Sequence, residues 1–240
     1  MLLAQPKVSI VLPVYNEAEI IETVIRDFYE KVIKKYPNSE LIVAEDGSTD
    51  NTKEILARLE KEMPMKLVMG KERKGYRRGV TDALLLATGD YVFFCDTDNT
   101  HDPADVFKLL DKMEGNDLVT GVKLERNDPA YRILFSRAYN LMIYFIFGIW
   151  LTDINAGFKM MRREVIQKAV VKNHSLKYGF STEIVIRAKY AGCRIAGVPV
   201  SHFARETGFA GIFAARKMPE VVISQLKGLV SLRVEMWRNG

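Results

Sequence analysis

Between Val8 and Asp98 the chain alternates short apolar runs, too short for helices, with longer stretches whose apolar residues recur at helical spacing. Residues 8–15 read as a nearly continuous buried strand, and Ile20, Ile21, Val24, Ile25, Phe28 and Val32 then mark one face of a helix. Residues 41–44, 65–69 and 91–95 predict further strands, with helices around Ile55, Leu56 and Leu59 and from Gly79 to Ala87. This alternation restricts the chain to an α/β architecture, a mostly parallel central sheet flanked by helices. Ligands of such sheets bind beyond the C-terminal strand ends.

Those ends are acidic. Glu17 follows the first strand, Asp46 the second, and Asp96 and Asp98 the fourth, so separate stretches aim carboxylates at one edge. In extended chain, residues two apart point the same way, so Asp96 and Asp98 can converge on one hard cation, Mg²⁺ or Mn²⁺, gripping a diphosphate. Thr97 then faces elsewhere. An Asp-x-Asp arises by chance about once in a chain of this length. The competing reading of the same stretch is a solvated turn before an N-cap at Asp102 and Pro103 in the first helical position.

Past this pair the pattern changes. Residues 117–122 read as a strand and 123–129 as a polar loop, followed by a helical stretch over 131–150 with a dense apolar second half. Residues 153–159 look like a turn, 165–171 and 181–191 like helices, and 195–203 like a strand. Near the end, Val222, Leu226, Leu229, Val230, Val234 and Trp237 fall at helical spacing with Lys227, Arg233 and Arg238 between them. Such a helix can lie in a membrane interface or cap the domain.

A hydrophobic content of 48% supports a sizeable core, and 35 basic against 30 acidic residues are interspersed. The net charge of +5 suits a phosphate-rich ligand or an anionic membrane surface and does not call for nucleic acid. Cys95 and Cys193 form no disulfide framework, which fits a reducing compartment. Residues 1–6 are too short and too soon interrupted for a signal peptide. The longest uncharged apolar run, 141–151, has 11 residues, against the ~20 that span a bilayer. A soluble or membrane-surface-bound chain is expected.

Several ordered pieces carry a resemblance: Pro13-Val14-Tyr15-Asn16-Glu17, Glu45-Asp46-Gly47-Ser48-Thr49-Asp50-Asn51, Lys74-Gly75 through Gly79, Ala87-Thr88-Gly89-Asp90-Tyr91, Asp96-Thr97-Asp98, Asp153 through Gly157-Phe158, and Val198-Pro199-Val200 with Arg205 and Gly208. The set resembles the inverting GT-A glycosyltransferases of family 2, in particular the dolichol-phosphate mannose synthase and polyprenyl-phosphate glycosyltransferase branch. The resemblance implies a single GT-A domain over 1–240: a nucleotide-sugar half at about 7–100, an acceptor half at about 101–210 and a C-terminal amphipathic helix at about 211–240.

It also implies a GDP- or UDP-hexose donor held near Pro13, Tyr15, Glu17, Asp46, Lys74 and Asp96, with Mg²⁺ or Mn²⁺ on Asp96 and Asp98. The acceptor implied is a polyprenyl or dolichyl phosphate at the cytoplasmic membrane face, its phosphate held by Lys123, Arg132, Ser136 and Arg205. Asp98, Asp153 and Arg205 would carry the chemistry, Asp153 orienting the acceptor or taking a proton. Thr100 stands where these synthases often have Gln. A glycan hydroxyl acceptor, a nucleotidyltransferase and a non-enzymatic sugar-nucleotide-binding subunit are the alternatives.

Overall fold

The computed structural model describes residues 5–123, 130–171, 175–203 and 218–239. The order is β1 (Val8–Val14), α1 (Ile21–Phe28), β2 (Ser39–Glu45), α2 (Thr52–Glu62), β3 (Lys66–Met69), α3 (Tyr76–Leu84), β4 (Tyr91–Cys95), α4 (Val106–Lys112) and β5 (Leu118–Lys123). Then come α5 (Ala130–Phe147), β6 (Phe158–Arg162), α6 (Arg163–Val165), α7 (Phe180–Tyr190), β7 (Ile195–Val200) and α8 (Met218–Asn239). The strands form one sheet of order β3-β2-β1-β4-β6-β5-β7. β1 pairs in parallel with both β2 and β4, and β6 runs antiparallel between β4 and β5. The sheet is mostly parallel, as expected.

Helices cover both faces, which is why β1 and β4 are apolar on both sides. Ile10, Leu12 and Phe93 enter one core with Ile21, Ile25 and Phe28 of α1. Val11, Val92 and Phe94 enter the other with Val80 and Leu84 of α3 and Ile184 of α7. All six residues expected to mark the inner face of α1 and its continuation, Ile20 through Val32, are buried. Asp102 is the N-cap anticipated, its carboxylate accepting from Ala104 N at 3.1 Å with Pro103 next.

Two expectations fail. Residues 153–159 are not all turn: Phe158 opens β6, whose sequence Phe158-Lys159-Met160-Met161-Arg162 lacks β-branched residues and carries two cations. Its strand character comes from pairing on both sides, and even Lys159 is fully buried there. The last strand is also shorter than 195–203, ending at Val200.

The C-terminal helix divides its apolar residues. Val221, Leu229, Leu232 and Met236 are buried, whereas Val222, Ile223, Leu226, Val230, Val234 and Trp237 are exposed. Capping is therefore one of its roles. A buried ionic chain fastens it: Arg187 of α7 donates Nε to Glu183 at 2.9 Å and both terminal nitrogens to Glu235 of α8 at 2.7 and 2.8 Å. Glu183 also accepts from Ser175 N and Leu176 N. Arg187→Ala is expected to cost about 3 kcal/mol, the low end for breaking a buried pair because Glu235 is partly exposed. Urea unfolding measures it.

Candidate active site

A cavity of about 1260 Å³ opens beyond the C-terminal ends of β1, β2 and β4, with α3 and the basic loop before it as the opposite wall. Pro13, Tyr15, Glu17, Asp46, Lys74, Asp96 and Asp98 all line it. The sheet polarity brings these together, since parallel neighbours end on the same edge.

Each of the three aspartates is held by a particular partner. Asp46 accepts Lys74 N on Oδ1 at 2.8 Å and Gly75 N on Oδ2 at 2.9 Å, so its carboxylate pins the basic loop against the sheet edge. Gly47, at φ +74°, lets that loop come close: a Cβ there would lie 2.4 Å from Arg73 N. The loop delivers Arg73, whose guanidinium lies 3.9 Å from the centre of the Tyr15 ring, a cation on an aromatic face inside the cavity. The Lys74 ammonium is turned to Asp82 at 2.6 Å.

Asp96 and Asp98 lie just past β4. Asp96 Oδ1 accepts the Tyr76 hydroxyl at 2.7 Å, and Asp96 N donates to Gly157 O at 3.1 Å. Gly157 leaves room for the carboxylate: a Cβ would fall 2.0 Å from Asp96 Oδ2. Asp98 Oδ1 accepts the Thr100 hydroxyl at 2.8 Å, while Thr97 turns away to donate to Pro13 O at 3.0 Å. Burial first, and then the neighbouring charge of Asp98, push the Asp96 carboxyl up to about 6.

The expected acceptor residues sit apart from this cavity. Asp153 is buried in the loop before β6, Lys123 is half-buried at the end of β5, and Ser136 is half-buried on α5. None of the three lines the cavity. Lys123 is near enough to lower the Asp96 carboxyl, and Asp153 near enough to raise His101. Between them His101, its own pKa lowered by burial, points Nδ1 at Ser201 O at 3.0 Å and packs against Phe158 and His202. Arg132 belongs to α5, but its side chain lies outside the described residues, as does the whole of Arg205.

Tyr76, Gly157 and Arg73 were not singled out as site residues in the sequence. Tyr76 and Arg73 sit in the Gly-punctuated basic segment and Gly157 in the Gly-Phe pair, so their neighbourhoods carried a signal but their partners did not.

With this geometry in view, the comparisons decide the family. The glycosyl transferase family 2 model matches residues 9–170. The chain belongs to glycosyl transferase family 2. Glycosyltransferase AglD of Haloferax volcanii is 34% identical over 206 residues, which cover 81% of this chain and 32% of that protein. The undecaprenyl-phosphate 4-deoxy-4-formamido-L-arabinose transferase of Yersinia enterocolitica is 30% identical over 205 residues, covering 84% and 61%. The chain thus spans about a third to three-fifths of the length of these relatives. In fold it is similar to glucosyl-3-phosphoglycerate synthase of Mycobacterium tuberculosis, solved with Mn²⁺, UDP and phosphoglyceric acid. That match has a TM-score of 0.70 at 22% identity, over 94% of this chain and 79% of that one. The family 2 chain described here therefore has the GT-A fold.

Proposed function

We propose that this family 2 chain transfers a hexose from a UDP- or GDP-sugar to a polyprenyl or dolichyl phosphate, with inversion, at the cytoplasmic membrane face. The observation that carries it is the meeting of Asp96 and Asp98 with a cationic rim of Arg73, Arg77, Arg78 and Lys177 in one cavity. Two relatives support the acceptor and the metal: the Yersinia enterocolitica protein is named for undecaprenyl phosphate, and the Mycobacterium tuberculosis enzyme was solved with Mn²⁺ and UDP.

The residues fit a divalent ion. Asp96 and Asp98 are hard oxygen donors crowded by like charge, and Mg²⁺ or Mn²⁺ takes such donors together with diphosphate oxygens. Among the described residues no set of three or more His, Cys, Asp or Glu forms a complete ion cage, so the donor diphosphate would share the shell. A bound ion would neutralise the departing nucleoside diphosphate. Asp46 and Gly47 hold the basic loop over the diphosphate, and Tyr15 with Arg73 offers a flat surface to the base. The incoming phosphate is already ionised near neutral pH, so orientation supplies much of the rate. Lys123, Arg132, Ser136 and Arg205 are proposed to hold it, and Asp153 to orient it.

No helix among the described residues is long and apolar enough to cross a membrane. The lipid is instead met by exposed apolar residues: Leu134, Phe135 and Phe145 on α5, and Val230 and Trp237 on α8. The buried free thiols of Cys95 and Cys193 fit the cytoplasmic side.

The test is a panel of UDP- and GDP-hexoses with undecaprenyl and dolichyl phosphate, read by mass spectrometry of extracted lipids. A glycosylated lipid phosphate is expected; transfer only to sugar hydroxyls, or to nothing, overturns the reading. A proton competes with the ion for Asp96, whose carboxyl is raised to about 6. Mn²⁺ affinity measured with UDP or GDP should therefore fall below that pH, and more steeply than the affinity of Mn²⁺ for the free nucleotide.

A further inference from the structure

We infer that Lys159 is a positioning residue, a buried ammonium that fixes the loop joining α5 to β6 and through it the carboxylate of Asp96. Lys159 is fully buried in β6, directly opposite Thr120 of β5 and Phe94 of β4. Its Nζ donates to Thr120 Oγ1 at 2.9 Å, Ile154 O at 3.1 Å and Ala156 O at 2.6 Å. The three N–H bonds of an ammonium satisfy all three oxygens at once; a neutral amine has two, enough for the carbonyls only, and would need the Thr120 hydroxyl to turn and donate to it. Burial pulls the pKa of this group down to about 7, and the charges of Asp153 and Asp96 act the other way. The three oxygens gathered around Nζ favour its protonated form.

The held loop matters because of what it touches. Two of its carbonyls are tied to Nζ, and Thr182 of α7 donates to Asn155 Oδ1 at 3.1 Å. Gly157, directly after Ala156, accepts from Asp96 N and lies against Asp96 Oδ2. Asp153 stands in the same loop. A single cation under the loop thus sets the backbone on which the Asp96 carboxylate rests, and it supplies positive charge where acids gather. Lys159 does not line the cavity, so it acts through Gly157 and not on the donor itself. Lys159, which the sequence pattern puts at the end of a turn, is instead a buried residue of β6 that ties this loop to the sheet.

Lys159→Met keeps most of the apolar stem and removes the charged end. Amide hydrogen exchange in wild type and variant, with thermal melting, separates local release from general weakening. The expected result is a rise of at least tenfold in exchange at Asp96 and Ala156, beyond any change at Val119 and Met160 in the neighbouring ladder. Calorimetric binding of Mn²⁺ with UDP, and with GDP, should weaken about tenfold. A uniform rise across the sheet with binding unchanged overturns the inference. Should Lys159→Met not fold, Thr120→Val removes one acceptor and keeps the charge. Roughly threefold faster exchange confined to the loop is then expected, and no local change overturns the inference. The binding arm rests on the proposed function, whereas the exchange arm does not. If neither nucleotide binds the wild type, the functional reading fails while exchange still decides the role of Lys159.

Discussion

Asp96→Asn is expected to lower transfer by about 10³-fold or more while making the protein more stable at neutral pH. The amide keeps the shape and can still accept from Tyr76, but it loses the charge that would hold a divalent ion. Stability moves the other way because the wild-type carboxyl is raised from the ordinary 3.8 to about 6 by burial and by Asp98. Above the folded value the wild type bears the cost of an ionised, crowded acid; below the unfolded value both states are protonated and the cost vanishes. The gap in melting temperature should therefore open between about pH 4 and 6 and stay level above, worth about 1–2 kcal/mol after solvent screening. Activity is read with the donor and lipid panel, stability by calorimetry over that range. A variant that is both inactive and less stable would show that Asp96 serves the fold and not the ion.

Gly157→Ala is the second large effect, and it acts without touching any charge. A methyl at this position would lie 2.0 Å from Asp96 Oδ2, and the same residue's carbonyl accepts from Asp96 N. Loop or carboxylate must shift by more than an ångström, a displacement that can cost about 10²-fold in rate. Overpacking of this kind also destabilises by about 1–3 kcal/mol. Mn²⁺ affinity with UDP or GDP should fall alongside the rate. Gly192→Ala is the control: the glycine sits at φ +79° after α7, with nothing near its missing Cβ, so the variant loses stability from backbone strain but keeps its activity. Equal activity losses in the two variants would argue against a direct steric effect on Asp96.

The two substitutions differ in how readable their sites were. Asp96 announced itself, since an acid just beyond a buried five-residue strand in an alternating α/β chain must sit at the sheet edge. Glu17 and Asp46 followed by the same logic, and all of them line one cavity. Gly157 was visible only as part of a Gly-Phe pair, because its importance lies in a carboxylate 61 residues earlier in the chain. β6 was hidden for a related reason: Lys159 and Arg162 break the apolar signal of a strand buried by its neighbours rather than by its own composition. α8 was half legible, its helical spacing plain but the division into a packed face and an exposed one invisible until α7 supplied Arg187.

Local periodicity and short connections were enough to dictate a mostly parallel sheet and to gather acids beyond its strand ends, because strand polarity alone decides which edge they reach. Folding in space chose the partners: Asp46 for the backbone of the basic loop, Tyr76 and Gly157 for Asp96, and three loop and strand oxygens for the ammonium of Lys159. Those choices depend on ångström-scale approach between segments far apart in the chain. No pattern within one segment encodes such an approach.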